Sequence, residues 1–371
     1  MNGLYFRPAI AAAAAAVLLC ANAFAATQCG APNIATFSVV AYDPSTGEVG
    51  VAVQSKFFAV GSVVPWCRAG VGAVASQAYG NPTFGPLGLD MIAQGKMPEE
   101  VLKALLETDE DAARRQIGIV ALLPDAGGAL RGFAGTYTGD ECLAWAGGKI
   151  GKTPDGITFA VQGNILSGPE VVEAMAAAIS LPADMPADEF AFGMPNGMKL
   201  TENELAAVGT GDLAGRLLRA LLAGQAAGGD SRGMQSAALK VSQAGAGYGG
   251  YTDVKYDLRV DDAADPFDEL ARLLNLARPI SLSFEAYNKL YAKEYGAAIE
   301  IFTRLVSLQP EEASHHYNLA CALSLSGSLD EAMKELAIAL EMDPDELLPL
   351  AKEDHDLDPL REREDFRGLV G

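Results

Sequence analysis

The sequence predicts an α+β fold, in which two β-sheets are covered by helices and are followed by an all-helical region. Three observations support this class. Strand-like segments occur before and after a group of helical segments in residues 36–276, an order typical of helix-covered sheets. The 40 glycines and the low aromatic content of 7% favour many turns and closely packed strands. From about residue 280 the composition changes and an internal repeat begins.

The first predicted element is a β-hairpin. Residues 36–42 and 49–54 have the composition of strands, and residues 43–48 contain the Pro, Ser and Gly of a turn. Apolar residues run almost unbroken along both arms, as they do in strands with both faces covered. We therefore expect the hairpin to lie between other layers of the fold.

The same patterns predict the remaining elements of the first domain. Residues 181–211 contain several Pro, Asp and Glu and show little periodicity. Further strands are predicted at 62–66, 71–77, 116–123, 129–134, 157–162, 236–241 and 253–260, and helices at 87–92, 98–106, 169–179, 213–223 and 265–276.

The first 25 residues predict a secretory signal peptide. Arg7 precedes an apolar run from Ala9 to Leu19, and Ala23 and Ala25 form the small-residue pattern of a cleavage site. The run is too short to span a bilayer. We therefore expect cleavage after Ala25, a periplasmic or secreted protein, and no membrane span.

The charge of the chain argues against one class of partner, and its cysteine content bears on disulfide bonding. The formal net charge of −21 argues against nucleic acid as a partner, because phosphate binding needs clustered Lys and Arg, and no such cluster occurs. Removing the signal peptide leaves Cys29, Cys67, Cys142 and Cys321. One disulfide is possible, but isolated buried thiols are favoured.

The C-terminal region carries a 34-residue period. Pro310 and Pro344 are 34 positions apart (344 − 310), as are Ala298 and Ala332 (332 − 298). This period resembles that of tetratricopeptide repeats. We therefore expect a first domain over 26–280 and a repeat domain with a capping helix over 281–371, which binds a protein partner or a second copy of the chain.

Histidine is absent from the first domain. His315, His316 and His355 all lie in the repeat region. A Ser-His-Asp triad, a Cys-His pair and a histidine-ligated zinc site are therefore excluded from residues 26–280, and no cofactor or metal is expected. If this domain is a hydrolase, its base must be a carboxylate, a lysine or a backbone amine. A terminal threonine meets that need, because an α-amino group has a pKa of about 8.

Several ordered segments resemble one family. The chain is similar, over roughly residues 35–276, to the bacterial domain of unknown function family 1028, which is grouped with the N-terminal nucleophile (Ntn) hydrolases. This resemblance implies a four-layer αββα sandwich that cleaves amide bonds with a Thr, Ser or Cys at the start of the first strand. The segments are TFSVVAYDPSTGEVGVAVQSKF, AVGSVVPW, GVGAVASQA, FAVQGNIL, GGDSRGMQSAAL and DLRVDD.

The resemblance also implies candidate site residues. Thr36 stands at the position of the nucleophile, Lys56 could lower its proton affinity, and Asn81 could donate to an oxyanion. Several have a structural alternative. Thr36 could be an ordinary strand residue and Lys56 a solvated side chain, while residues 162–164 and 230–231 could form ordinary turns and caps. The candidates for substrate binding are Ser38, Ser76, Gln77, Gln162, Asn164, Asp230, Ser231 and Arg232.

The sequence and the resemblance support two alternative functions. The first is an exported Ntn-type amidohydrolase that acts on a small amide, a peptide or a cell-wall fragment. Cleavage after Ala25 leaves residues 26–35 ahead of Thr36, so its nitrogen would be an amide unless self-cleavage or trimming removes them. The second is a non-catalytic module that binds a peptide or glycan, with the repeats recruiting a protein.

Overall fold

The computed structural model describes residues 36–371, so the predicted signal peptide lies outside the described residues. A six-stranded sheet forms the centre of the first domain, and all its neighbouring strands are antiparallel. The predicted hairpin is confirmed and its strands are central. The strand order is β10 (Val254–Val260), β9 (Ser236–Ser242), β2 (Val49–Ser55), β1 (Thr36–Tyr42), β8 (Thr158–Asn164) and β7 (Gly147–Lys152).

A four-stranded antiparallel sheet packs against the first. Its order is β3 (Pro65–Arg68), β4 (Gly72–Ala78), β5 (Arg115–Pro124) and β6 (Leu130–Thr138).

Helices cover the outer faces of both sheets. Helices α1 (Phe84–Ala93) and α2 (Pro98–Glu107) lie on the smaller sheet. The larger sheet is covered by α3 (Glu170–Ile179), α6 (Leu213–Ala226) and the first part of α7 (Pro266–Tyr291), with α4 (Ala187–Phe192) and α5 (Glu202–Val208) packed among them. The C-terminal helices are α8 (Tyr295–Leu308), α9 (Ala313–Ser326), α10 (Leu329–Met342), α11 (Pro344–Glu353) and α12 (Glu364–Val370).

Apolar side chains that alternate between the two faces of the strands form three separate hydrophobic cores. Phe37 and Val39 of β1 pack with the helices on the larger sheet. Val40, on the opposite face of β1, packs with Val120 of β5 between the sheets. Ile117 of β5 belongs to the core under α1 and α2. Because successive side chains of a strand point to opposite faces, these cores define four layers, and the predicted αββα sandwich is confirmed.

Helix α7 joins the sandwich to the C-terminal helices. It spans 26 residues, and Asp265 caps it by accepting from the backbone N–H groups of Phe267 and Asp268. The predicted end near residue 276 is wrong, because the helix continues through Pro279. Pro279 has no backbone N–H group, so the helix lacks one hydrogen bond there. The buried side chain of Arg278, the preceding residue, anchors this turn of the helix by donating to Asp212 at the start of α6 over 2.8 Å. Residue 280, the predicted domain boundary, therefore lies inside a helix.

The C-terminal region is all helical, as predicted. Helices α8 and α10 begin at Tyr295 and Leu329, 34 residues apart (329 − 295), which is the period of the sequence repeat. A separate core holds these helices together through buried residues such as Phe302, Leu336 and Phe366. Within residues 36–371, no helix has the length and apolar character needed to cross a membrane.

Three details of the first domain differ from the sequence prediction. Residues 60–62 form a short 3-10 helix, and the third strand begins only at Pro65. Strand β7 was not predicted, because its sequence GGKIGK has too few apolar residues to show alternation. Helices α4 and α5 lie within 181–211, where they are too short to produce a helical period.

Candidate functional site

The polar residues of β1 face the space between the two sheets. Thr36 and Ser38 lie on the same face of the strand as Val40 and Tyr42, which belong to the core between the sheets. Phe37 points to the helix layer. One end of the space between the sheets is therefore lined by hydroxyl and amide groups, while the other end is apolar.

A row of four polar residues crosses the larger sheet at this end. The strand register places Thr36 opposite Ser55 of β2 on one side and opposite Asn164 of β8 on the other. Ser55 in turn lies opposite Ser236 of β9. All four are at most 1% exposed. The row, Asn164–Thr36–Ser55–Ser236, thus places three hydroxyls and an amide side by side across four strands.

Thr36 is bonded through both its side chain and its backbone. Its Oγ1 donates to Ser55 Oγ over 3.0 Å. Its carbonyl oxygen accepts from Gln77 Nε2 at 3.2 Å and from Asn164 Nδ2 at 3.4 Å. These contacts fix the first residue of β1 from both sheets, because Gln77 lies on β4 of the smaller sheet.

Ser38 forms the second layer of the network. Its Oγ donates to Gln77 Oε1 and accepts from Gln162 Nε2, each over 2.6 Å. The amide of Gln162 lies directly over Gly118 of β5, where a Cβ atom would be 2.1 Å from Gln162 Oε1. Gly118 therefore leaves the room that this buried side chain occupies.

Gln116 is a site residue that the sequence analysis missed. Its Oε1 accepts from Gln77 Nε2 at 2.8 Å and from Asn164 Nδ2 at 3.0 Å. Its Nε2 donates to Thr138 Oγ1 at 2.9 Å and to the carbonyl oxygen of Gly163 at 2.8 Å. The sequence did contain a signal for Gln116. Side chains alternate along β5, so Gln116 lies on the same face as Val120, which packs between the two sheets. Its position opposite Gln77 becomes visible only with the strand register.

The network itself contains no charged side chain, and an ion pair lies at the start of β5, next to Gln116. Arg115 donates from Nη2 to Asp109 Oδ1 over 2.9 Å, and both side chains are less than a tenth exposed. Burial alone would raise the pKa of Asp109, but hydrogen bonds from Arg115 and Asn81 outweigh it and hold that pKa below its ordinary value. Asp109 is therefore a carboxylate at neutral pH and serves as an acceptor.

Asn81 and Ser76 lie away from this network. Asn81 Nδ2 donates to Asp109 Oδ2 over 3.1 Å, and its Oδ1 accepts from the backbone N–H and hydroxyl of Thr83. Ser76 lies on the other face of β4 from Gln77, and its Oγ donates to the carbonyl oxygen of Asn81 over 2.9 Å. Both residues therefore close the turn that follows β4.

Lys56 and the 230–232 loop form a second group at the end of β2. The exposed Lys56 side chain donates from Nζ to the carbonyl oxygen of Met234 over 2.9 Å, and its backbone N–H donates to Asp230 Oδ2 over 3.1 Å. The buried Asp230 also accepts from Arg232 Nη2 over 3.1 Å. Ser231 is exposed, and its backbone N–H donates to the carbonyl oxygen of Ile165. The loop thus lies beside the end of β8, where Asp230 joins Lys56 and Arg232.

A small cavity lies at the Asn164 end of the row. It has a volume of about 20 Å³, enough for one water molecule. Two lining residues, Ala78 and Ile165, have φ angles of 65° and 53°. The left-handed region is rare for a β-branched residue such as Ile165, and such strain is concentrated at functional sites. Arg114, Glu141 and Cys142 also line the cavity. Burial raises the pKa of the Cys142 thiol, so this group is protonated at neutral pH.

Within the part of the chain that the structure describes, no three His, Cys, Asp or Glu side chains lie close enough together to bind a metal ion.

Comparisons with known proteins found similarity in both the first domain and a short stretch of the chain. Protein SPO2555 from Silicibacter pomeroyi, a DUF1028 protein of known crystal structure, is 26% identical in sequence to this chain. The similarity covers 66% of this chain and 86% of that chain, with a TM-score of 0.48. A 61-residue stretch, 16% of this chain, is 41% identical to the TPR repeat-containing thioredoxin TTL4 of Arabidopsis thaliana, and it spans 9% of that protein. The model of the "family of unknown function (DUF1028)" matches residues 36–270, so the chain belongs to this family.

Proposed function

We propose that this protein is an exported amidohydrolase of the Ntn type, acting on a small amide, a peptide or a cell-wall fragment, with Thr36 as its nucleophile. The observation that carries the proposal is the position of Thr36. It opens a central strand, and its hydroxyl is hydrogen-bonded to Ser55 within a buried polar row between the two sheets.

The chemistry requires a new chain terminus at Thr36. Its nitrogen is an amide in the full-length chain and cannot accept a proton, and the residue is completely buried. Cleavage of the bond between Ala35 and Thr36 would create an α-amine with a pKa of about 8. The amine could then take the hydroxyl proton while Thr36 Oγ1 attacks the substrate carbonyl carbon.

The surrounding residues have distinct parts in this proposal. The hydroxyl of Ser55 holds Thr36 Oγ1 in place, and the amide of Gln77 holds the Thr36 carbonyl. Asn164 contacts Thr36 and lines the adjacent cavity, so its amide is the candidate donor to the oxyanion of the tetrahedral intermediate. The proton on the α-amine passes to the leaving amine, and water then hydrolyses the ester formed with Thr36.

Intact-mass spectrometry of the protein purified from an exporting host tests the proposal. A chain that starts at Thr36 supports it, and a Thr36→Ala variant should then lose hydrolysis of any amide that the wild-type protein cleaves. A Thr36→Ala variant with full turnover would remove Thr36 as the nucleophile. A mature chain that starts at Ala26 and is not processed further would instead favour the binding function below.

A second candidate function is a binding module without catalysis. The 34-residue helical period and the match to a TPR-containing protein favour it. Three apolar side chains of the repeat region, Ile338, Met342 and Leu350, are each at least 39% exposed. In this function the sandwich holds a peptide or glycan, and the repeats bind a protein partner or a second copy. Sedimentation of the intact chain over a range of concentrations would test self-association.

A further inference from the structure

An apolar cavity lies in the helical layer on the outer face of the larger sheet. Its volume is about 420 Å³, within the range of small-molecule sites, which is about 300–1,000 Å³. Helices α3 and α6 contribute alanines, among them Ala177, Ala178 and Ala223. Because these side chains are small, they leave open the space that larger residues would fill.

The opposite wall comes from the segment that contains α4. Met185, Phe190, Phe192 and Met194 line the cavity there. Phe192 is 94% exposed, although it borders an apolar space in which its ring could be covered. Methionine side chains adapt readily to different apolar surfaces. These features describe a site for the hydrocarbon part of a ligand.

Two charges next to the cavity restrict the ligand further. Glu189 is the one ionisable side chain among the described residues that line the cavity; it is exposed and forms no ion pair within the described chain. It disfavours an anionic head group. The fully buried guanidinium of Arg219 lies behind the wall, 5.8 Å from the centre of the Phe190 ring.

Arg219 is held by backbone oxygens and not by a carboxylate. It donates to the carbonyl oxygens of Pro182 at 2.9 Å, Met185 at 3.0 Å and Val208 at 2.6 Å, and none of the described carboxylates pairs with it. Asp212 attracts it only at longer range and is paired directly with Arg278, so Arg219 keeps a positive charge without an ion pair of its own and disfavours a cation in the cavity. We propose that this cavity binds an uncharged amphiphile, a molecule with a hydrocarbon body and at most a hydroxyl or amide group.

Isothermal titration of the full chain with octan-1-ol, octanoate and octylamine tests the proposal, because the three probes share one chain length. We expect octan-1-ol to bind about tenfold more tightly than either charged probe. A charged probe that binds as tightly as the alcohol would overturn the proposal, and so would the absence of alcohol binding.

Two variants locate the binding. Ala177→Trp places an indole in the cavity and should weaken octan-1-ol binding at least about tenfold, whereas Ala206→Trp on the exposed surface of α5 should not change it. Glu189→Gln should bring octanoate affinity closer to that of the alcohol, while Glu341→Gln, an exposed carboxylate on α10, should leave both unchanged. Because Glu189 is exposed, its variant tests the site even if Ala177→Trp misfolds. Unchanged binding in both cavity variants would place the probes elsewhere and contradict the proposal.

Discussion

Thr36 and Ser55 lie directly opposite each other in the paired strands β1 and β2, and the hydroxyl of Thr36 donates to the hydroxyl of Ser55 over 3.0 Å. Neither residue is exposed to solvent. A buried donor of this kind costs free energy when its acceptor is removed, since no water replaces the lost bond. The pair is therefore both a structural element and the centre of the proposed site.

Replacing Ser55 tests the structural part of this relationship. We expect Ser55→Ala to lower the free energy of unfolding by about 1–3 kcal/mol, because the Thr36 hydroxyl loses its buried acceptor. Urea denaturation measures the change. The exposed Ser62 donates to the carbonyl oxygen of Ala59, and Ser62→Ala should stay within about 0.5 kcal/mol of the wild type. Equal losses in both variants would contradict the role given to the buried pair.

Gly118 should be intolerant of even one added carbon atom. A Cβ there would be 2.1 Å from Gln162 Oε1, so Gly118→Ala must displace Gln162 from its bond with Ser38. We expect a loss of about 1–3 kcal/mol in the free energy of unfolding. The matched control is Gly296→Ala in α8, where no atom lies within 4 Å of the added carbon. That change should stabilise the protein by about 0.4–1 kcal/mol, and destabilisation by both changes would refute the steric argument.

The ion pair between Asp212 and Arg278 should make stability depend on pH. Burial alone would raise the pKa of Asp212, but the charge and hydrogen bonds of Arg278 outweigh it and hold that pKa far below its ordinary value. The stabilisation is therefore present above the unfolded-state pKa of about 3.9 and is lost as the pH falls towards the folded-state value. We expect Asp212→Asn to lower the free energy of unfolding at neutral pH by about 3–5 kcal/mol.

The comparison needs urea denaturation at neutral pH and at about pH 3, below the unfolded-state pKa. The difference between the wild type and Asp212→Asn should shrink at the lower pH. Asp90 forms an exposed pair with Arg68, and Asp90→Asn should cost at most about 1 kcal/mol. A pH-independent difference for Asp212→Asn would show that its carboxylate is not the titrating group.

The three described cysteines are free thiols and should react slowly. Burial raises the pKa of Cys67 to about 11, and burial also raises the pKa values of Cys142 and Cys321. Thiolate is the reactive form, so alkylation by iodoacetamide at about pH 8.5 should be much slower in the native protein than in urea. Peptide mapping assigns the rate to each residue. Native and unfolded rates that match at Cys67 would show that its thiol is not protected.

The sequence predicts the strands of this fold better than it predicts contacts between them. The hairpin of β1 and β2 is predictable because its turn and apolar arms are local features. Thr36, Ser38, Gln77, Gln162 and Asn164 were all candidates, and the structure brings them into one network. They were candidates because the family resemblance implies them, and each is a polar residue within an apolar strand.

Partners across the two sheets could not be predicted in this way. Gln116 is the second residue of a long apolar strand, and its contacts with Gln77 and Asn164 depend on strand register and sheet packing. Lys56 and Asn81 are close to the site in the sequence, but local turns direct their side chains to Met234 and Asp109. Closeness in the sequence is therefore a poor guide to which loop residues belong to the network.

Helix α7 determines how the two regions of the protein can work together. At 26 residues it is about 39 Å long, and it enters the repeats without an intervening loop. A flexible linker would let a captured molecule explore many positions around the sandwich. A continuous helix instead holds the C-terminal helices at one distance and one orientation from the row that contains Thr36. Insertion of a few residues within α7 would therefore rotate the C-terminal helices relative to the sandwich. Each region would keep its own fold, but any function that needs both regions would change.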